Sequence, residues 1–126
     1  MAGELILVVE DDERSRRLLR DVLQHDGYQT LEAATAADAL AHARAGRPAL
    51  IIMDIQLPDG DGVRTLGELR RDPETAGIRV VAVTAFAMKA DEERFRAAGF
   101  EGYLTKPIDL AAFRQLVGRL TGRIPE

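Results

Sequence analysis

Five side chains that can bind a metal ion or a phosphoryl group each lie at the end of a short apolar segment. They are Glu10, Asp11, Asp54, Thr84 and Lys106. Three carboxylates gathered in one place repel one another. A site that holds them therefore binds a cation, or the pKa of one of the carboxyl groups is raised. Oxygen ligands without cysteine or histidine favour a hard cation. Mg²⁺ fits best because it keeps waters that a phosphate oxygen can replace, and Mn²⁺ accepts the same ligands.

A hydroxyl and an ammonium beside a metal and a carboxylate are what a phosphoryl group requires. Asp54 would be the nucleophile, and Thr84 and Lys106 would contact the phosphoryl oxygens. Two simpler interpretations stay open: Lys106 could only form a salt bridge, and Asp54 could only open a loop, because aspartate is common in turns. The five residues together predict an aspartate that accepts phosphate.

A buried strand must position Asp54. Residues 50–53, Leu-Ile-Ile-Met, form an apolar run without alternation, which is typical of a strand buried on both faces. The run is too short for most helices, and Pro58 and Gly60 end it. Asp54 is therefore expected at the carboxyl end of a central strand, where open α/β sheets place their ligand chemistry.

Four more strands and five helices are predicted to alternate with this one. The pattern predicts one α/β unit: a doubly wound (βα)5 sandwich with a five-stranded parallel sheet and helices on both faces. The other strands are predicted at 5–9, 28–31, 79–83 and 102–105, and the helices end near Gly27, Gly46, Asp72 and Gly99, the fourth beginning at Met88 and the fifth following Asp109.

Length and composition limit the classes of protein. A chain of 126 residues suits one domain, expected to have its core at about 4–121 and a tail or linker start at 122–126. With 46% hydrophobic and 30% charged residues the chain resembles a soluble globular protein, and no apolar run reaches the roughly 18 residues of a membrane span. The absence of cysteine and of a signal-peptide pattern favours the cytoplasm. The net charge of −4 argues against direct nucleic-acid binding.

These residues, each at a predicted strand end and in this order, resemble the response-regulator receiver domain of two-component and phosphorelay signalling. Each motif alone is weak, but four in the right order are specific, and the resemblance covers nearly the whole chain. It implies a flavodoxin-like sheet with the strand order 2-1-3-4-5. The stretch 80–94 is further similar to single-domain members of that family. The motifs are Glu10-Asp11, Met53-Asp54 with Pro58 and Gly62, Thr84-Ala85, and Lys106-Pro107.

The resemblance implies roles for the site residues. Asp54 would be the phosphoacceptor, Thr84 and Lys106 would contact the phosphoryl group, and Tyr103 would be an aromatic switch that turns inward when Thr84 moves. The peptide bond between Lys106 and Pro107 would be cis. Tyr103 could instead be only a half-buried strand residue.

The resemblance also implies a Mg²⁺ site. Its ligands would be Glu10, Asp11, Asp54 and the backbone carbonyl of Gln56. The first acid of the pair is usually aspartate in this family, and the longer glutamate here would extend its reach toward the metal.

The implied partners are proteins. A sensor histidine kinase or a histidine phosphotransfer protein would donate the phosphoryl group, and a downstream protein target would bind the face of the fourth helix, fifth strand and fifth helix. Helical periodicity places Leu18 beside the buried stripe of the first helix, half covered, where with Pro107 and Ile108 it would form an apolar docking patch. Alternatively, Leu18 and Ile108 complete the core.

Two other functions remain open. A small Mg²⁺-dependent phosphohydrolase also forms an aspartyl phosphate, but it needs a second acid two residues after the nucleophile, where this chain has Gln56. An enzyme is therefore not expected beyond assistance to the chain's own phosphorylation and dephosphorylation. The chain could also be a receiver cut from a larger hybrid kinase or regulator. Phe86, two residues after Thr84, would shield the phosphoryl group from water; alternatively, it packs aside or belongs to a partner surface.

Overall fold

Strands and helices alternate along the chain in this computed structural model, which describes residues 3–85 and 89–123. The strands are β1 (Leu5–Val9), β2 (Gln29–Ala33), β3 (Leu50–Asp54), β4 (Gln56–Leu57), β5 (Gly60–Asp61), β6 (Arg79–Thr84) and β7 (Gly102–Thr105). The helices are α1 (Glu13–His25), α2 (Ala36–Gly46), α3 (Gly62–Arg71), α4 (Lys89–Ala98) and α5 (Leu110–Leu120). The predicted start of α4 at Met88 lies outside the described residues.

Five of the strands form one parallel sheet with the order β2-β1-β3-β6-β7. This is the predicted order 2-1-3-4-5, and it confirms the doubly wound fold. Every residue of the central strand β3 is buried, as the unbroken apolar run predicts. Because all five strands are parallel, their carboxyl ends meet at one edge of the sheet.

Two hydrophobic clusters fill the space between the sheet and its helices. Successive strand residues point to opposite faces, so neighbours in β3 join different clusters. Met53 packs in the cluster that includes Leu66 of α3 and Phe95 of α4. Ile52 packs in the other cluster, which includes Phe113 of α5. Because both faces of the sheet are packed in this way, the sheet is a firm support for the residues at its carboxyl edge.

The segment after β3 differs from the plain loop that the sequence predicts. It contains the short antiparallel hairpin of β4 and β5. At its turn, the Asp59 carboxylate accepts hydrogen bonds from the backbone N–H groups of Ala36 (2.7 Å) and Ala37 (3.1 Å). Asp59 therefore caps the N-terminus of α2 together with Thr35, whose side chain accepts from Asp38 N–H. The acidic turn at Asp59 therefore has a structural role, because it is hydrogen-bonded to the N-terminus of α2.

Three arginines of α1, Arg16, Arg17 and Arg20, form ion pairs with nearby acids. Arg20 binds Asp21 at 2.9 Å, and Arg16 binds Glu32 at 3.2 Å.

Among the described residues, no helix has both the length and the apolar character that a membrane crossing requires.

Candidate functional site

Backbone hydrogen bonds hold the predicted site residues at the carboxyl edge of the sheet. Glu10 N–H donates to Ala33 C=O at 2.9 Å, and Lys106 N–H donates to Thr84 C=O at 2.8 Å. Ile55 N–H, directly after Asp54, donates to Val83 C=O at 2.9 Å. These bonds continue the sheet pairing past the strand ends, so the side chains there are held by the central sheet.

Three carboxylates come together at this edge. One oxygen each of Glu10, Asp11 and Asp54 lies within 4.8 Å of the others. Glu10 is 3% exposed and Asp54 is 4% exposed, whereas Asp11 faces solvent. A cluster of carboxylate oxygens with a solvent-facing member matches the donor set of a hard divalent cation. The acidic residues predicted from the sequence are therefore neighbours in space.

Lys106 lies between two of these carboxylates. Its Nζ is 2.8 Å from Asp54 Oδ2 and 2.9 Å from Glu10 Oε1. The other Asp54 oxygen, Oδ1, accepts a hydrogen bond from Gln56 N–H at 3.0 Å. Burial alone would lower the pKa of Lys106, but the bonds to Asp54 and Glu10 outweigh it and raise that pKa. The ammonium therefore stays charged and balances part of the buried negative charge.

Glu10 has the most perturbed acidity of the site. Burial raises its pKa from 4.5 to about 6. The hydrogen bonds from Lys106 and from Asp12 N–H act in the opposite direction, and the charge of Asp54 adds to the increase. The carboxyl that the sequence places in a metal site is thus protonated more easily than an ordinary glutamate.

The pKa of Glu10 predicts how the stability of the metal-free protein changes with pH. Between about pH 4.5 and 6 the folded state binds more protons at Glu10 than the unfolded state, so the free energy of unfolding rises as the pH falls through this window. Carboxyls whose pKa is lowered by folding, such as Asp26, act in the opposite direction but below this range. We expect Tm to rise by a few degrees from pH 7 to pH 5.5.

Thermal melts of protein treated with a chelator measure this effect, and Glu10→Gln is the matched variant. Its amide does not titrate, so the increase in Tm between pH 7 and pH 5.5 should disappear. An equal increase in the variant would assign the effect to another group.

Asp12 has a local role that the sequence analysis missed. Its carboxylate accepts from Ser15 N–H at 3.0 Å and from Ser15 Oγ–H at 2.6 Å, and so caps α1. Its own N–H donates to Glu10 Oε2 at 3.0 Å. The aspartate three residues before a serine, ahead of a helical pattern, was an available capping signal. Asp12 thus couples the start of α1 to the orientation of Glu10.

The other residues predicted around Asp54 are near the same edge. Thr84 is buried and lies opposite Thr105 in the register of β6 and β7. The bond between Lys106 and Pro107 is cis, as predicted. Tyr103 is half-buried in β7, and its hydroxyl donates to Glu92 Oε2 at 3.0 Å. Phe86 lies outside the described residues.

An apolar groove opens beside the acidic cluster. It has a volume of about 300 Å³. Leu18 is 50% exposed, which agrees with the half-covered position predicted from the helical wheel, whereas Ile108 packs partly against the core. Among the described residues Leu18 is the large apolar side chain left exposed. The groove is lined by Glu10, Ser15, Leu18, Leu19, Lys106, Pro107 and Ile108.

Comparison with known proteins gives the class of the chain. The model of the response regulator receiver domain matches residues 6–118. The chain therefore belongs to the response-regulator receiver domain family and is a signalling receiver of two-component systems. This confirms the family and the fold class expected from the sequence.

The relatives include single-domain regulators. The polar-differentiation response regulator DivK of Brucella anthropi is 44% identical over 117 residues, which span 93% of this chain and 95% of DivK. The DivK of Brucella ovis is 43% identical over the same shares of the two chains. These matches confirm the similarity to single-domain members that the segment 80–94 indicated.

Solved structures show the same fold. The chemotaxis protein CheY4 of Vibrio cholerae is 25% identical, with a TM-score of 0.87 over 94% of this chain and 99% of that one. The receiver domain of the sensor histidine kinase PA1611 from Pseudomonas aeruginosa PAO1 is 31% identical, with a TM-score of 0.86 over 96% and 99% of the two chains. The latter structure has a magnesium ion coordinated in its active site cleft.

Proposed function

We propose that this chain accepts a phosphoryl group from a phosphohistidine on Asp54 and thereby switches a surface that binds a partner protein. The observation that carries the proposal is the placement of Asp54. Its carboxylate ends the central strand, within an acidic cluster and in contact with the Lys106 ammonium. A carboxylate oxygen would attack phosphorus while the bond to the histidine nitrogen breaks, and that nitrogen would take a proton from solvent.

Each polar group of the site has a task in this transfer. Gln56 N–H holds Asp54 Oδ1, which fixes the orientation of the carboxylate. Lys106 would exchange part of its contact with Asp54 for a phosphoryl oxygen, and the Thr84 hydroxyl would bind another. A divalent ion, Mg²⁺ or Mn²⁺, would supply the charge that neutralises the phosphoryl oxygens.

Glu10, Asp11, Asp54 and the backbone carbonyl of Gln56 would hold that ion. The mutual distance of at most 4.8 Å among the three carboxylates supports this ligand set, as does the magnesium site of the PA1611 receiver. Glu10 must be deprotonated to bind the ion, so its raised pKa predicts weaker binding below about pH 6.

We propose a signalling function rather than an enzymatic one. The position two residues after Asp54 holds Gln56, whose amide cannot act as a general acid or base. The chain would therefore assist only its own phosphorylation and dephosphorylation. A location in the cytoplasm follows from this role, because a kinase or phosphotransfer protein must present its phosphohistidine there.

A direct experiment tests the phosphoacceptor. The protein is incubated with Mg²⁺ and phosphoramidate, a small donor with a phosphorus–nitrogen bond, and the intact mass is measured. We expect one added phosphoryl group, located on the peptide that contains Asp54 and released by hydroxylamine, which cleaves acyl phosphates. A stable phosphate on a serine or threonine would contradict the proposal.

The groove beside the site is proposed to dock the phosphodonor. Leu18 and Pro107 are exposed at its rim, with Ile108 partly buried between them and the core. A donor helix packed there would bring its histidine to Asp54 and exclude water from the reacting atoms. The occupant proposed is a histidine kinase or histidine phosphotransfer protein.

Leu18→Glu should slow transfer from the cognate donor protein about tenfold or more, because a carboxylate in the groove must be desolvated when the apolar face of the donor docks. Phosphorylation by phosphoramidate and the Tm should stay nearly unchanged, since Leu18 is half exposed. The rates are measured by transfer of labelled phosphate from the donor protein.

Ala41→Glu is the matched control for this variant. Ala41 is an exposed position of α2 and is not part of the groove, so this change adds the same charge elsewhere. Equal slowing by both variants would indicate a general charge effect. A large loss of Tm in Leu18→Glu would show instead that Leu18 completes the core.

The downstream target is proposed to bind the face formed by α4, β7 and α5. This face includes Tyr103, the proposed switch residue, on the edge strand β7. The strand ends at Thr105, directly before Lys106. We propose that residues 4–121 form the core of one receiver domain, and Arg123 is tied to it by its ion pair with Glu4 at 3.0 Å.

A further inference from the structure

Glu92 joins helix α4 to the edge strand β7. Its Oε2 accepts the hydroxyl hydrogen bond of Tyr103 at 3.0 Å, and its Oε1 accepts from Arg96 Nη2 at 3.1 Å. Glu92 and Arg96 are one turn apart on the same face of α4. Both oxygens of the Glu92 carboxylate are therefore engaged, and Arg96 holds the carboxylate in the direction that meets the tyrosine hydroxyl.

Tyr103 and Thr84 are connected through the sheet. Tyr103 lies opposite Ala82 and Thr105 lies opposite Thr84 in the pairing of β6 and β7. Tyr103 and Thr105 point to the same face of β7 because they are two residues apart. The ring of Tyr103 packs against the core cluster that contains Phe95 of α4. Tyr103 thus packs its ring against this cluster and bonds to α4 through its hydroxyl.

We propose that Glu92 is a positioning residue. Its hydrogen bond to the Tyr103 hydroxyl, here called the latch, holds Tyr103 against α4 in the unphosphorylated state and so opposes the movement of Tyr103 on phosphorylation. This inference rests on the proposed function, because it assumes that phosphorylation of Asp54 moves Tyr103. A hydrogen bond to a carboxylate is stronger than one between neutral groups. If it forms only in the unphosphorylated conformation, it favours that conformation and lowers the apparent affinity for a phosphoryl group or its mimic.

The acidity of Tyr103 agrees with this contact. The hydrogen bond to Glu92 raises the pKa of Tyr103, since the carboxylate disfavours the phenolate. The Glu92 side chain is about one-third exposed, so a substitution there can remove the hydrogen bond to Tyr103 without disturbing the packing of the core. Removing it should alter the switch and leave the Asp54 site unchanged.

The test measures the affinity of Mg²⁺-loaded protein for beryllofluoride, which mimics the phosphoryl group on an aspartate. Glu92→Ala and Tyr103→Phe should each bind it about three- to tenfold more tightly than the wild type. The double variant should bind no more tightly than either single variant, because both remove the same hydrogen bond. Glu92→Gln, which keeps an acceptor oxygen, should lie between the wild type and Glu92→Ala.

Glu93→Ala is the matched control. Glu93 is an exposed neighbour on α4, so this variant removes the same charge without touching the hydrogen bond to Tyr103. The ring signals of Tyr103 in NMR spectra, identified by their loss in Tyr103→Phe, give a second readout. In ligand-free Glu92→Ala they should move toward the positions of beryllofluoride-bound wild type.

Three results would overturn the latch. They are equal affinities of Glu92→Ala and Glu93→Ala, additive effects in the double variant, and ring signals that do not move. In each of these the wild type still binds beryllofluoride at Asp54, so the proposed function would stand. A wild type that binds none would instead remove the proposed function, and the latch with it.

Discussion

Asp54→Asn is expected to abolish phosphoryl uptake, lowering the rate by at least about a hundredfold, because an amide is not a nucleophile toward phosphorus. The variant should keep the fold. Asparagine has nearly the shape of aspartate and retains an oxygen that can accept from Gln56 N–H. Uptake is measured by intact mass after incubation with Mg²⁺ and phosphoramidate, and the fold by circular dichroism.

A control separates this effect from a general loss of acidic residues. Asp38→Asn changes an exposed aspartate of α2 in the same way, and it should be phosphorylated at the wild-type rate. The assignment of Asp54 would be wrong if Asp54→Asn took up phosphate as fast as the wild type. It would also be wrong if both variants lost activity equally.

Removal of divalent metal should have an effect of similar size. With a chelator present, uptake from phosphoramidate is expected to fall by about two orders of magnitude. The phosphoryl charge then meets an acidic cluster that, among the described residues, is paired with the single ammonium of Lys106. Added Mg²⁺ should restore it. Mg²⁺ at a hundredfold its Kd should also raise Tm by about 5–15 °C, because a ligand that binds only the folded state stabilises it.

Asp11→Asn provides the matched variant for the metal. Asp11 is exposed, so its replacement should change the fold little, yet it removes one carboxylate from the cluster. The increase in Tm with Mg²⁺ should be much smaller in this variant. It should also be smaller in the wild type at pH 5.5, which is below the pKa of Glu10 of about 6. An unchanged wild-type melting curve at millimolar Mg²⁺ would contradict the metal site.

The sheet and the position of Asp54 at the end of its central strand were predictable from the amino-acid sequence alone. A short apolar run such as residues 50–53, ended by Pro58 and Gly60, favours a strand buried on both faces, and β3 is such a strand. The alternation of strands and helices predicts a parallel sheet, in which the carboxyl ends of the strands meet at one edge. These features are local patterns, so they can be read without a structure. The half exposure of Leu18 was predictable for the same reason.

The contacts between polar side chains of different elements became known from the three-dimensional structure. Asp59 caps α2 from the turn of a hairpin, more than twenty residues further along the chain, and Glu92 accepts the hydroxyl of Tyr103 from a different element. Acidic residues at these positions have the same local pattern whether they face solvent or a partner. Lys106 also bridges Glu10 and Asp54 at once, and the raised pKa of Glu10 follows mainly from its burial. Such contacts depend on the three-dimensional distance between residues far apart in sequence, which periodicity and spacing do not contain.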